Sequence, residues 1–237
     1  MLPRRVPHPG PVPDQAAAQR VTLYWTGGAV VALLLGAIAL SAAPLDALAR
    51  HMATHLLLMN AVAPLVALAV RASARMSTSG PPPTRMLVAA SVVQLALLWG
   101  WHAPPALALA VRMPAVHAMM QMSCLAAALW FWLAILADRS AMRWRALFAL
   151  LITGKLFCLL GALLVFAPRL LYGDIAAHGL HVADHNAALA DQHLAGLLML
   201  AVCPLSYVLA GVVIAARWLH DLSRLPERSR RDAMAAP

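Results

Sequence analysis

The sequence predicts an all-α protein, a polytopic membrane helical bundle of six transmembrane helices with both termini in the cytoplasm (N-in/C-in). Three observations carry this expectation. Of 237 residues, 62% are hydrophobic and only 11% charged, whereas soluble domains run nearer half apolar and a quarter charged. The apolar residues fall into six runs, each close to the roughly 20 residues that a bilayer-spanning helix requires. The basic residues, 17 Arg and a single Lys, concentrate in alternate connections between those runs. The net charge of +9 therefore reads as membrane topology, and no nucleic-acid partner is expected.

Residues 1–22 hold Pro3, Pro7, Pro9, Pro11 and Pro13 without an apolar run, the pattern of a disordered cytoplasmic tail with polyproline character. A six-helix transmembrane domain is expected over 23–216, with spans at 23–43, 51–70, 86–103, 115–137, 146–167 and 193–216. A basic cytoplasmic tail, 217–237, follows. Only the connection 168–192 is long. The first span ends in Ser41-Ala42-Ala43, small residues like those at a signal-peptidase site. Its apolar run exceeds a usual signal core and follows a long tail, so an uncleaved helix is expected.

Orientation follows from arginine. One side of the membrane receives Arg4, Arg5, Arg20, Arg71, Arg75, Arg85, Arg139, Arg143, Arg145, Arg217, Arg224, Arg228, Arg230 and Arg231, and the other only Arg50, Arg112 and Arg169. The richer side is cytoplasmic by the positive-inside rule, which places the chain in the cell inner membrane as a multi-pass protein.

Histidine marks the opposite side. His8 and His220 belong to the tails, but His51, His55, His102, His117, His178, His181, His185 and His193 all map to outer helix ends or the outer loop. His51 and His55 are one turn apart, so their imidazoles share a face and could share a metal. Met52, His55 and Met59 form a stripe on the same span. The fourth span opens with His117, Met120 and Cys124 at i, i+3, i+7. Imidazole with thioether and thiolate is a soft donor set suited to Cu(I) rather than to magnesium, calcium or manganese. Such pairs also serve as helix-end polar packing, and methionine also fills gaps between helices. Two such openings at one depth, with His102 closing the third span there, favour a metal site.

Asp191-Gln192-His193 starts the last span at that level. Asp191, with Gln192, could orient a ligating histidine from behind, or Asp191 could cap its own helix. His178, His181, His185 and His193 could form a loop site for metal intake or a solvated surface. Cys124, Cys158 and Cys203 lie in apolar runs without a disulfide spacing. Lys155 is an intramembrane charge, functional by default, with no acidic residue at matching depth in any span.

Several motifs in order then resemble one family. They are His51-Met52-x-x-His55 with Ala63-Pro64-Leu65, Leu98-Trp99-x-Trp101-His102-x-Pro104, and His117 with Trp130-Phe131-Trp132. Gly161-Ala162-Leu163-Leu164-x-Phe166-Ala167-Pro168 with Tyr172 follows, then Asp191-Gln192-x-x-Ala195-Gly196-x-x-Met199. Together these resemble the CtaG family of membrane-embedded cytochrome c oxidase assembly factors, over about residues 45–210. The resemblance implies a non-enzymatic role in making haem-copper oxidase, through copper delivery to its catalytic subunit, with a periplasmic copper donor as a further partner. His51, His55, His102 and His117 would hold Cu(I), with Met52, Met59 and Met120 as exchangeable ligands. The chain departs from the family where Gln121 stands in place of a second histidine one turn after His117, and in lacking an apolar run for a seventh helix.

The alternative is a single-haem b-type cytochrome with axial histidines from facing helices. A transporter is disfavoured because the chain shows no internal repeats or paired broken helices. No CxxC, HExxH, GxSxG or P-loop is present, which removes the common hydrolase and nucleotide-binding signatures.

Overall fold

The computed structural model describes residues 15–74, 84–137, 143–173 and 185–235, and all regular structure among them is helical. The helices are α1 (Gln15–Ala42), α2 (Ala47–Leu56), α3 (Ala63–Ala74), α4 (Thr84–Trp101), α5 (Pro104–Arg112), α6 (Pro114–Ala137), α7 (Trp144–Phe166) and α8 (His185–Ala235). A π-helical segment, Leu57–Val62, joins α2 to α3. Among the described residues, five stretches are each long and apolar enough to cross a membrane: Ala16–Ala42, Ala47–Ser73, Pro114–Ala137, Trp144–Phe166 and His185–Arg224. Helices α4 and α5, bent by 72° at their junction, supply the sixth when taken as one span.

That bend is written in Pro104 and Pro105. A proline disfavours helical backbone at the residue before it, and Ala103 is extended, with φ −63° and ψ 134°. The ring is tolerated at the first turn of a new helix, so α5 restarts at Pro104. The stretch 104–112, expected as a connection, is therefore helical, and its Leu107 and Ala110 are buried. The break leaves His102 at the corner, where its side chain is buried.

The helices outrun the apolar runs at both ends. Helix α1 begins at Gln15, inside the segment expected as tail, and α8 continues through the basic residues to Ala235. Alanine, leucine and arginine are strong helix formers, and backbone hydrogen bonding does not depend on where hydrocarbon stops.

Side chains sort as a bundle in lipid requires. Leu23, Leu35 and Ile38 of α1 and Leu205 and Val208 of α8 are exposed, while Phe131, Trp132 and Phe157 are buried. Tyr207 packs among those three rings at centroid distances of 5.5–5.9 Å. Its buried hydroxyl accepts a hydrogen bond from Gln94 Nε2 at 3.0 Å, since an amphipathic ring in a core needs a polar partner.

Helix α7 packs extensively on α8. They come into tight contact at Gly161 and Gly196, where a Cβ on Gly196 would stand 2.7 Å from the Gly161 carbonyl oxygen. Small residues let membrane helices close to backbone contact. At the end of the bundle away from the α8 N-terminus, Arg143 pairs with Asp221 at 2.8 Å.

Candidate metal centre

The first two histidines sit on α2, His51 in its second turn and His55 in its last, and the start of that helix is held from outside. Asp46 occupies the N-cap position but makes no side-chain cap hydrogen bond. Instead the Asp191 carboxylate, on α8, accepts hydrogen bonds from the backbone N–H groups of Leu48 (2.8 Å) and Ala49 (3.0 Å). Those are the donors that an N-cap side chain would normally satisfy, and a carboxylate there also complements the helix dipole. Arg50 closes the preceding turn, donating to the carbonyls of Leu40, Ala43 (3.3 Å) and Leu45 (2.7 Å) at the end of α1. His51 and His55 are thus anchored by a cap on one side and an arginine clamp on the other.

Their rings meet. His51 Nε2 and His55 Nε2 are 3.1 Å apart. The His102 ring lies 6.0 Å from that of His51 and 5.4 Å from that of His55, centroid to centroid. Donor atoms of His51, His55 and His102 all fall within 4.8 Å of one another. A metal–nitrogen bond of about 2.0–2.1 Å lets two donors on one ion stand at most about 4.2 Å apart. Small side-chain adjustments would therefore let all three share a single ion.

His102 is set up for this by its backbone partners. Its Nδ1 lies 2.7 Å from the Leu98 carbonyl oxygen, and a carbonyl can only accept. Nδ1 therefore carries the proton and Nε2 presents its lone pair, the arrangement in which metal-binding histidines are held by a second partner. The Tyr172 hydroxyl donates to the His102 carbonyl at 2.7 Å. Burial pushes that hydroxyl up to about 12, so it remains a donor throughout the physiological range. His102 Nε2 and His55 Nδ1 are buried atoms with no hydrogen-bond partner among the described residues. Buried imidazole nitrogens without partners are costly, and an electrophilic ion is one partner that would relieve them.

Beneath the histidines lies a cavity of about 10 Å³, lined by His55, His102, Met52, Met59, Met199 and Cys203 among others. It has room for about one water-sized sphere, and its wall is rich in sulfur. The π-helical segment forms part of that wall. Its Met59 carbonyl accepts from Trp132 Nε1 at 3.0 Å, and Asn60 Oδ1 accepts from Ser206 Oγ at 3.0 Å. Such π segments recur at functional sites, and here external donors take up polar groups of the segment.

The other expected site residues are distributed differently. His117 meets the His51 ring edge to face with centroids 5.5 Å apart, but its Nε2 lies 3.3 Å from Gln121 Nε2. The metal-capable group among the described residues comprises His51, His55 and His102, without His117. Met120 is buried on α6 without lining the cavity. Asp191 caps α2 rather than α8 or a histidine. Gln192 ties the α7–α8 connection: Oε1 accepts from the Leu171 N–H (2.8 Å), and Nε2 donates to the carbonyls of Leu164 and Arg169 (3.3 Å each). Both polar side chains go where free backbone groups at helix ends and turns need them. His193 is half-buried and His185 exposed, and neither joins the group. His178 and His181 lie outside the described residues. Lys155 is exposed on α7.

Asn60, Met199 and Cys203 line the cavity without having been assigned to the site from sequence. The signal was available. Met199 and Cys203 repeat the one-turn spacing of His51 and His55 with soft donors, and Asn60 is a lone amide in an apolar run.

A family model described as cytochrome c oxidase caa3 assembly factor matches residues 2–221. The chain belongs to this family. No curated protein and no solved structure matches it. The matched region contains the whole histidine group, His51 and His55 on α2 and His102 at the end of the α4 segment.

Proposed function

We propose that this assembly factor binds Cu(I) at the outer face of the inner membrane and passes it to the catalytic subunit of a haem-copper oxidase. The observation that carries the reading is the convergence of His51, His55 and His102, with unpartnered ring nitrogens above a sulfur-lined cavity. Both termini lie in the cytoplasm in this reading, from the arginine asymmetry.

The residues would work as follows. His102, with its Nδ1 proton committed to Leu98, offers Nε2 as a fixed donor. His51 and His55 supply a pair one turn apart, and His51, only half-buried, faces the side from which ions come and go. Met52 and Met59, with Met199 and Cys203, offer thioether and thiol donors that favour Cu(I) over harder ions. Release proceeds by ligand exchange with an oxidase subunit docked alongside, and no covalent bond of a substrate is made or broken. Asp191 acts at one remove, by holding the start of α2.

A haem between these histidines is not favoured. His51 and His55 sit on one helix with ring nitrogens 3.1 Å apart, and the cavity of about 10 Å³ cannot take a macrocycle.

The test pairs metal content with oxidase assembly. The His51→Ala/His55→Ala protein should insert normally and purify with less copper than the wild type. A strain carrying it should lose haem-copper oxidase activity at limiting copper and regain part of it in excess copper, because supply is impaired rather than folding. Full oxidase activity at limiting copper in a strain lacking the gene altogether would refute the proposal.

A further inference from the structure

Lys155 is the one basic side chain that neither the copper site nor the arginine asymmetry uses. It is the twelfth residue of α7, whose 23 residues run from Trp144 to Phe166, so at 1.5 Å per residue its Cα stands about 16 Å from either end. The side chain is exposed, and it makes no hydrogen bond or ion pair among the described residues. It borders a groove of about 380 Å³ between α7 and α8, walled by Leu151, Cys158, Pro204, Val208 and Gly211. The floor is low because Gly154 and Gly211 contribute no side chains. A point charge thus sits in an apolar trough at mid-span, where charges are rare and pair with one another.

Three kinds of anion could answer it. A lipid phosphate lies at the wrong depth: the lysine stem reaches only about 6 Å from Cα, well short of the helix ends. A second copy of the chain has none to offer. Its nine acidic residues are Asp14, Asp46, Asp138, Asp174, Asp184, Asp191, Asp221, Glu227 and Asp232. Of these only Asp191 and Asp221 fall inside a membrane-crossing stretch, each towards one end of His185–Arg224, and both are engaged, Asp191 with the α2 backbone and Asp221 with Arg143. The remaining source is a carboxylate carried at mid-depth by another protein's membrane helix.

We infer that the α7–α8 groove docks a transmembrane helix of a partner protein, whose in-span Asp or Glu pairs with Lys155. The same two helices line the sulfur-walled cavity through Phe157, Met199 and Cys203, so a helix seated there lies one layer from the copper site. Docking itself does not depend on copper. Only the expectation that the helix belongs to the oxidase rests on the function proposed above.

A photo-crosslinking residue at Val208, in cells that make the oxidase, tests this. The adduct should map by mass spectrometry to a transmembrane segment with an Asp or Glu near its centre. Lys155→Leu and Lys155→Gln should each lower adduct yield at least tenfold at unchanged protein level, and Lys155→Arg should retain it. Removing the partner carboxylate should reproduce the loss. Adducts only to lipid, to a second copy or to a helix without a carboxylate would overturn the inference, as would wild-type yield from both neutral variants. An adduct to a carboxylate-bearing helix of a protein other than the oxidase would uphold the groove and count against the oxidase reading.

Discussion

Replacing His102 by leucine separates metal binding from folding, because the two should move in opposite directions. In the metal-free protein the imidazole is a mixed asset. Its Nδ1–H bond to Leu98, at 2.7 Å, contributes about 1 kcal/mol, while its buried Nε2 without a partner costs about 1–3 kcal/mol. Leucine fills a similar volume and brings neither term, so metal-free His102→Leu should be as stable as the wild type or up to about 2 kcal/mol more so. At roughly 2–4 °C per kcal/mol for a chain of this size, its Tm should be unchanged or raised by several degrees. With Cu(I) the order reverses. Losing one of three nitrogens should weaken binding about ten- to a hundredfold. At a free Cu(I) concentration a hundred times the wild-type Kd, the wild type gains about 2.7 kcal/mol. A hundredfold weaker variant gains only about 0.4 kcal/mol. Thermal unfolding in detergent, with and without Cu(I) buffered by a competing chelator, reads both quantities. A metal-free variant destabilised by about 3 kcal/mol or more, or one that keeps wild-type Cu(I) affinity, would refute the reasoning: His102 would then be a structural core residue.

Asp191→Asn keeps one acceptor but turns an amide towards a backbone N–H of α2; Tm should fall, and Cu(I) affinity with it, whereas an unchanged Tm would remove the capping role. Gly196→Val would press a side chain into the Gly161 carbonyl, and from the 2.7 Å approach a loss of about 1–3 kcal/mol is expected, measured as a lower Tm with Cu(I) stoichiometry intact in the folded fraction. Reporters fused after Arg75, Arg112, Arg143, Gly173 and Arg231 should register cytoplasm, outside, cytoplasm, outside and cytoplasm; an outside signal after Arg231 would break the orientation.

The membrane class and most of the spans were legible because hydrocarbon imposes a one-dimensional rule: enough consecutive apolar residues to cross it. The rule reads side chains and so misjudged where helices stop, at Gln15, at Ala235 and in α5, where backbone propensity rather than hydropathy governs. The histidines were also legible, since His51 and His55 are bound to one face by helical spacing and His102 closes a run at the same depth. Partner choice was not. Gln121 reaches His117 within one helix, while Asp191 reaches across more than 140 residues to start α2.

From the sequence alone, then, come an all-helical membrane bundle, the end of it at which imidazoles collect, and the soft character of the donors, because each depends on composition or on spacing within one helix. Only the tertiary structure decided which three rings share a point, that His102 presents Nε2, that Met199 and Cys203 face Met52 and Met59, and that Lys155 lines an open groove. Those facts depend on the azimuth of each helix about its own axis. In a bundle whose every face is apolar, close packing such as that at Gly161 and Gly196, and the pairing of scarce polar groups, set that azimuth once the helices have met.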